Sequence, residues 1–310
     1  MSQPRIKLIL NPNADMGNAW KHAADLHHII EGQGEISWSG TVYPTHANEL
    51  ARQAAEEGYD IVVAVGGDGT AHEVVNGLME ASVEKRPRFG IVPMGSGNDY
   101  AHNLGIPDTP EQALKAILTG TSRLVDLAYI EDETGRREYW DNTVNIGFGG
   151  AVTIYSHRMP VLRGFIMYFA AVLQTIIMQY NVLDVKITID GKDTWEGQTL
   201  MIALCNGPRE GGGFMTGPSA KLDDGILNYS ITEKVSRAMM FRLIPEFMSG
   251  KQERFKQIHP GTFKKMVINS QQPLYMHTDG EVFAGFAHDI HKLTIEILPQ
   301  ALEVIVPTED

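Results

Sequence analysis

The 310-residue chain has one cysteine, Cys205, so it cannot form an internal disulfide. That residue sits in the apolar run LMIALC, which reads as an inert core thiol in a reducing compartment. Positive charge is also short: 26 Lys and Arg against 38 Asp and Glu leave a formal net charge of −12. Such a balance excludes nucleic acid as a general partner and broad adhesion to an anionic membrane. The few basic clusters (Lys85, Arg86 and Arg88; Lys251, Arg254 and Lys256; Lys264 and Lys265) lie among acids or polar residues and read as solvated faces. The opening MSQPRIKLILNP lacks the apolar core and cleavage site of a secretory signal, so a cytoplasmic location is expected. Internal repeats and low-complexity tracts are missing, and the 11 histidines show no metal-ligand spacing. Residues 164–183 form one uncharged stretch just long enough to cross a bilayer. Gln174, Thr175, Gln179 and Asn181 interrupt it, and a largely buried amphipathic helix is expected instead.

What the chain does have is one dense motif. Residues 61–78 read IVVAVGGDGTAHEVVNGL. Five apolar residues, 61–65, suit a short strand buried on both faces. Gly66, Gly67 and Gly69 then allow a tight turn around one acid, Asp68, and one hydroxyl, Thr70. Beyond it Val74, Val75, Leu78 and Met79 share a helical face, with Thr70 as the expected N-cap. A glycine turn from a strand into a helix N-terminus presents N–H donors and a positive dipole end, which suits a phosphate. An acid in that turn suits the phosphate's Mg²⁺ or a hydroxyl proton. A plain strand–helix turn would account for the glycines but not for the acid among them.

At this length two domains are expected. The first 125 residues alternate strand patterns (5–10, 35–43, 61–65, 89–94) with helix patterns (17–30, 47–57, the segment after Thr70, and Pro110 to Gly120). This rhythm predicts a parallel sheet covered by helices, with ligands at the carboxyl ends of the strands. The glycine loop falls there, as does the small-residue loop 95–99. After Asp126 the pattern changes, and apart from the long apolar segment it reads as strands: 184–190, 198–205, 226–232, 265–269, 292–298 and 302–306. The expected architecture is an α/β domain over 1–126 and a mostly antiparallel β-sandwich over 127–310, with the last strands free to return to the first domain.

The blocks form an ordered series. Gly66–Gly67–Asp68–Gly69–Thr70 runs into Glu73-Val-Val-Asn76-Gly77-Leu78, and Pro93-Met-Gly95-Ser96-Gly97-Asn98-Asp99 comes next. The series resembles the diacylglycerol kinase catalytic domain, whose superfamily includes sphingosine and ceramide kinases. NGPREGGGF at 206–214, AKLDDGIL at 220–227 and Asp279–Gly280–Glu281 are similar to its bacterial soluble lipid-kinase branch. NAD kinases and phosphofructokinases carry loops like GGDGT; the whole series over residues 11–281 is what carries the resemblance. It implies ATP phosphates held by Gly66, Gly67, Asp68, Gly69, Thr70, Ala71 and His72, with further nucleotide contacts from Asn11, Thr41 and Ser96. It also implies a structural Mg²⁺ bound by the carbonyls of Lys221 and Ile226 and the carboxylate of Asp224, and a catalytic base at Glu281. Three departures stand out: NPNADMGNA lacks the compact Asn-Pro-x-Ser-Gly form, His72 replaces a commoner asparagine, and Ser96 replaces threonine but keeps a hydroxyl.

Moving a γ-phosphoryl group to an alcohol needs a phosphate cradle, Mg²⁺ against developing charge, and a base aligned with the hydroxyl. Asp68, Asp99 and Asp126 are acids near strand ends that suit a metal, although Asp126 reads equally as a solvent-facing strand acid. On spacing alone Glu281 is a hairpin-turn carboxylate and Asp224 a solvated turn acid; the resemblance gives them chemistry, with Asp68 assisting, in a cleft between the domains. The function expected is an ATP- and Mg²⁺-dependent lipid kinase acting on diacylglycerol. Its partners are ATP, a lipid alcohol and a transiently touched membrane surface, with no nucleic acid; a homodimer is an allowed assembly. The alternatives are another lipid alcohol (a sphingoid base or phosphatidylglycerol), an NAD-kinase-like enzyme, or a catalytically silent nucleotide-binding regulator.

Overall fold

The alternating pattern of the first third folds as strand propensity and helical periodicity dictate. The computed structural model describes residues 3–159 and 162–308; residues 1–2 and 309–310, the ends of the expected domains, lie outside the described residues. The chain divides into two compact units, Met1–Val125 with Gln300–Asp310, and Asp126–Pro299.

In the first unit the elements run β1 (Arg5–Leu10), the kinked turn α1 (Ala14–Gly17), α2 (Ala19–Ile30), β2 (Glu35–Gly40), α3 (His46–Glu56), β3 (Ile61–Gly66), α4 (Asp68–Glu80), β4 (Arg88–Pro93), α5 (Asp99–Asn103) and α6 (Pro110–Thr119). The strands lie parallel in the order β4-β3-β1-β2, with Ile6 opposite both Ile36 and Ile61. Val304, near the chain's end, adds a parallel pairing to Phe89 of β4. Every residue of β3 is buried, as a strand covered on both faces requires. Leu8, Leu10, Val63 and Val65 pack with Leu26 of α2 and Leu114 of α6 in one apolar core. Pro110 at the helix start and Gly120 at the cap close α6 as expected.

Two expectations are corrected here. Thr70 is not an N-cap: α4 starts two residues earlier, with Gly67 as its cap, and Thr70 N–H already donates to Gly67 O at 3.0 Å. The second strand ends at Gly40 and not at residue 43, so Thr41 heads the loop to α3, its N–H bonded to Leu10 O at 2.8 Å.

The second unit takes over within β5 (Thr121–Asp132). It continues through β6 (Arg137–Trp140), β7 (Thr143–Gly147), α7 (Phe148–Ser156), α8 (Gly164–Met178), β8 (Leu183–Ile189), β9 (Lys192–Cys205), β10 (Leu227–Glu233), α9 (Arg237–Ser249), β11 (Ile258–Phe263), β12 (Lys265–Ser270), β13 (Met276–Thr278), β14 (Glu281–Ala284) and β15 (Lys292–Val306). Its ladders are antiparallel: β14-β13-β7-β9-β8-β12-β15, with β10 and β11 branching from β9. The fold is thus an α/β unit followed by a β-sandwich unit. Ile187, Ile202, Ile268, Ile295 and Phe263 sit in the largest core cluster, all nearly inaccessible.

This unit differs from the sequence expectation: it adds β5, β6, β7, β11, β13 and β14, which the strand patterns did not include, and it departs in its helices, its last strand and its apolar stretch. Residues 148–156 and 237–249 are helices, and Val152, Met240, Leu243 and Phe247 bury their side chains in one apolar cluster with Leu200 and Ala203 of β9. The two expected terminal strands are the single β15. The apolar stretch 164–183 is helical only to Met178 and is not largely buried: within the helix Ala171, Val172, Thr175 and Ile176 are enclosed, while Ile166 and Ile177 are each 66% exposed. Among the described residues no helix is long and apolar enough to cross a membrane.

Helices α3 and α4 meet at Gly77, where an added Cβ would run into Asn48 O and lie 2.9 Å from Ala51 Cβ. Gly77→Ala should therefore lower unfolding stability by about 1–3 kcal/mol through overpacking. The midpoint of urea unfolding measures it; an unchanged midpoint would contradict the close packing.

Candidate functional site

In the first unit the predicted nucleotide residues collect at the carboxyl ends of neighbouring parallel strands. Asn11 follows β1, Thr41 follows β2, Gly66 ends β3 with Gly67–Thr70 following it, and Gly95–Asp99 follow β4. Backbone sterics explain the glycines. A Cβ on Gly66 would lie 2.7 Å from Thr70 Cβ, and one on Gly67 would lie 2.9 Å from Gly95 Cα. The two loops therefore touch main chain to main chain, and Met94 N–H donates to Gly66 O at 2.7 Å.

Side chains lock the two loops together. Asp68 Oδ1 accepts the Tyr100 N–H at 3.1 Å, tying the acid of the first loop to the short helix after the second. Asn11 Nδ2 donates to Thr70 Oγ1 at 3.2 Å, and Asn98 Oδ1 accepts Gly95 N–H at 2.8 Å. Gly67, Asp68 and Gly69 are half-buried and Ser96 is exposed, so solvent reaches the cradle. Thr70, Ala71 and His72 are buried; the Asn76 amide donates to His72 O at 2.9 Å. Asp99 is buried beside the 97 position, where a Cβ would lie 3.0 Å from Asp68 Oδ2 and 3.2 Å from Asp99 Oδ2. Two carboxylates thus flank one glycine.

The second unit holds the other expected residues in two places. Lys221, Asp224 and Ile226 belong to the turn before β10, with Lys221 and Asp224 exposed and Asp224 Oδ1 accepting Ile226 N–H at 3.3 Å. Asp126 is not the solvent-facing acid that the strand pattern allows. It is wholly buried, and its Oδ2 accepts Gly225 N–H at 2.7 Å while its N–H donates to Leu222 O at 2.6 Å. It staples that turn to β5. Among the described residues no three His, Cys, Asp or Glu side chains gather into a metal cluster. The expected Mg²⁺ set, one carboxylate and two carbonyls, is all hard oxygen and suits that ion.

Glu281 stands at the other place, as the exposed first residue of β14. The hairpin before it turns on Asp279 and Gly280 with φ of 49° and 86°, the left-handed pair of a two-residue turn. Asp279 fixes that hairpin. Its carboxylate accepts the N–H groups of Asp141, Asn142 and Thr143, each at 2.9 Å. Its own N–H donates to Thr143 O at 2.8 Å. His277 supports the turn from the adjacent strand, its Nδ1 accepting Gly280 N–H at 3.1 Å. Burial holds His277 neutral down to about 4, opposed by the Asp279 charge and reinforced by His157. Cys205 is buried too, and burial pushes its thiol up so that it stays protonated.

Sequence reasoning missed His277, Glu210, Asn145 and Thr143, which gather around this hairpin. Glu210 lies within the NGPREGGGF block, and an acid set before three glycines was the available signal. Nothing local links it to His277, 67 positions away, because only the β7–β13 pairing brings them together.

Residues 5–130 match the family model of the diacylglycerol kinase catalytic domain, and residues 142–306 match the YegS C-terminal NAD kinase beta sandwich-like domain. A diacylglycerol kinase of Bacillus subtilis (strain 168) is 28% identical over 285 residues, covering 89% of each chain. A crystal structure of a diacylglycerol kinase from Bacillus anthracis str. Sterne superposes with a TM-score of 0.75 at 23% identity, over 98% of this chain and 97% of that one. An NAD kinase from Archaeoglobus fulgidus, solved with ATP, shares the fold at a TM-score of 0.53 and 12% identity, over 97% and 94% of the two chains.

The histidine gives a pH prediction. Its native pKa of about 4 lies below the ordinary 6.5, so between these values the unfolded chain binds a proton that the native one refuses. The stability this ring contributes is present above pH 6.5 and is lost as pH falls through about 4. The thermal midpoint from pH 7 down to about pH 4 should therefore drop more steeply in the wild type than in His277→Asn. Parallel curves would contradict the buried, neutral imidazole.

Proposed function

The chain belongs to the diacylglycerol kinase family in its YegS-like branch and is a lipid kinase, and we propose that it carries the γ-phosphoryl group of ATP to diacylglycerol, yielding phosphatidic acid. The observation that carries this reading is the main-chain contact of Gly67 with Gly95, which joins two donor-rich loops at the carboxyl ends of adjacent parallel strands.

The roles rest on chemistry. Gly66 to His72 offer backbone N–H groups at the N-terminus of a 13-residue helix, where a phosphate is favoured. Asn11 orients Thr70, and Thr41 and the Ser96 hydroxyl add nucleotide contacts from flanking loops. Asp68 and Asp99 are the carboxylates that would hold the nucleotide's Mg²⁺, and Lys221, Asp224 and Ile226 would hold a structural one. When bound, the nucleotide's metal neutralises charge on the transferring group. Glu281 takes the proton from the lipid hydroxyl, on a hairpin that Asp279 keeps rigid. Asp68 and Glu281 are both present, which favours a working enzyme over a silent nucleotide-binding regulator.

The acceptor's acyl chains need an apolar wall, and α8 supplies apolar surface beside the hairpin. The Tyr168 hydroxyl lies 3.6 Å from where a Gly280 Cβ would stand, and Ile166, Ile177 and Met178 are exposed on the same helix. With Arg163 at its start, this helix suits a transient membrane contact in a cytoplasmic enzyme. A homodimer is compatible with this surface.

Radiolabelled ATP offered with diacylglycerol, a sphingoid base, phosphatidylglycerol and NAD in mixed micelles tests the reading. Label is expected in diacylglycerol; label in NAD and in no lipid would remove it. Glu281→Gln should lower turnover by about 10²–10⁴-fold while ATP affinity is kept. Near-normal turnover in that variant would sink the assignment of the base.

A further inference from the structure

A second carboxylate in this unit has no part in the roles above. Glu210 opens the glycine-rich segment 210–214 and is pinned there by a two-way backbone pairing. Its N–H donates to Phe214 O at 2.9 Å, and Phe214 N–H returns to Glu210 O at 2.8 Å. The side chain is 17% exposed. Thr143 Oγ1 donates to its Oε2 at 2.7 Å, and Asn145 Nδ2 reaches Oε1 at 2.8 Å and Oε2 at 2.7 Å. Two accepting oxygens are the bonding of an ionised carboxylate. Thr143 and Asn145 are two apart on β7 and share a face. Asn145 also stands opposite His277 in the antiparallel β7–β13 pair, so the imidazole enters that same face. His277 Nε2 lies 3.8 Å from Glu210 Oε2.

This geometry decides where the imidazole proton belongs. Nδ1 accepts Gly280 N–H and is therefore bare, so a neutral ring carries its one hydrogen on Nε2, the nitrogen facing Glu210. A negative charge beside Nε2 favours that tautomer. Without it the Nδ1–H form competes, and that form would set two donors against each other at Gly280. Resting on the reading of Glu281 as the base, we propose that Glu210 is a positioning residue: it selects the His277 tautomer that holds Gly280 N–H, and so sets the direction in which Glu281 leaves the turn. A carboxylate that fixes a histidine tautomer does the same service in hydrolase triads. Here the histidine holds backbone and transfers no proton.

Two independent readouts test this. Imidazole ¹⁵N shifts in histidine-labelled protein should report the Nε2–H form of His277 in the wild type and a shift toward Nδ1–H in Glu210→Gln. A wild-type ring in the Nδ1–H form, or a tautomer unmoved by Glu210→Gln, overturns the proposal. In kinetics, Glu210→Gln should lower kcat about tenfold with the KM for MgATP held within about twofold. Added to Glu281→Gln it should cost less than about a further twofold, since its effect runs through that residue. His277→Asn keeps an acceptor near the Nδ1 position and should retain more activity than His277→Gln, which does not. Losses that multiply in the double variant, or equal activity of the two histidine variants, also overturn it. Full activity of Glu281→Gln alone would sink the base assignment instead, and the tautomer measurement would still decide the step from Glu210 to His277.

Discussion

Gly67 and Gly95 meet with no side chain between them, and the closure of the first unit's two glycine loops depends on that contact. Strands β3 and β4 run side by side, about 4.8 Å apart, and each ends in a loop that must turn without colliding with the other. A single methyl group on either residue would overlap the opposite backbone. Glycine at both positions lets the loops close into one surface lined by N–H groups and hydroxyls. Gly66 extends the same constraint, since Thr70 fills the space its side chain would take. The acid of the motif then ties the closed loops to the start of α5, through the bond from Tyr100 N–H to Asp68.

Acids collecting backbone N–H groups recur through the molecule. Asp68 holds one, Asp126 holds that of Gly225, and Asp279 holds three. A buried carboxylate is costly unless such donors surround it, and buried Asp126 and Asp279 each accept backbone N–H groups of a neighbouring loop. The consequence is a division of labour among neighbouring acids. In Asp279–Gly280–Glu281 the first acid is consumed by structure and the last is left exposed. In the turn before β10, Asp126 secures the loop from β5 while Asp224 stays exposed.

Much of the first unit was legible because its signals are local. The apolar run 61–65 and the glycines after it specify a buried strand and its turn within ten residues. Boundaries failed where a short-range preference met a tertiary contact: Thr70 is a good N-cap type, yet Gly67 had to begin the helix for the loops to touch. In the second unit α7 and α9 were hidden among strand patterns, since an apolar helix packed on a sheet lacks clean polar alternation. The apolar stretch at 164–178 gave its helix correctly but not its exposure, because hydrophobicity alone does not say what covers a surface. The polar group around Glu210 and His277 was out of reach for a simpler reason: strand pairing, not spacing, assembles it.

Calorimetric titration of MgATP into the wild type and into Gly95→Ala measures the cradle most directly, with circular dichroism to check that the variant is folded. If the contact between the glycine loops forms the triphosphate site, the folded variant should bind at least about tenfold more weakly, the loss expected when preorganised donors are displaced. A folded Gly95→Ala protein that binds MgATP as tightly as the wild type would contradict that account.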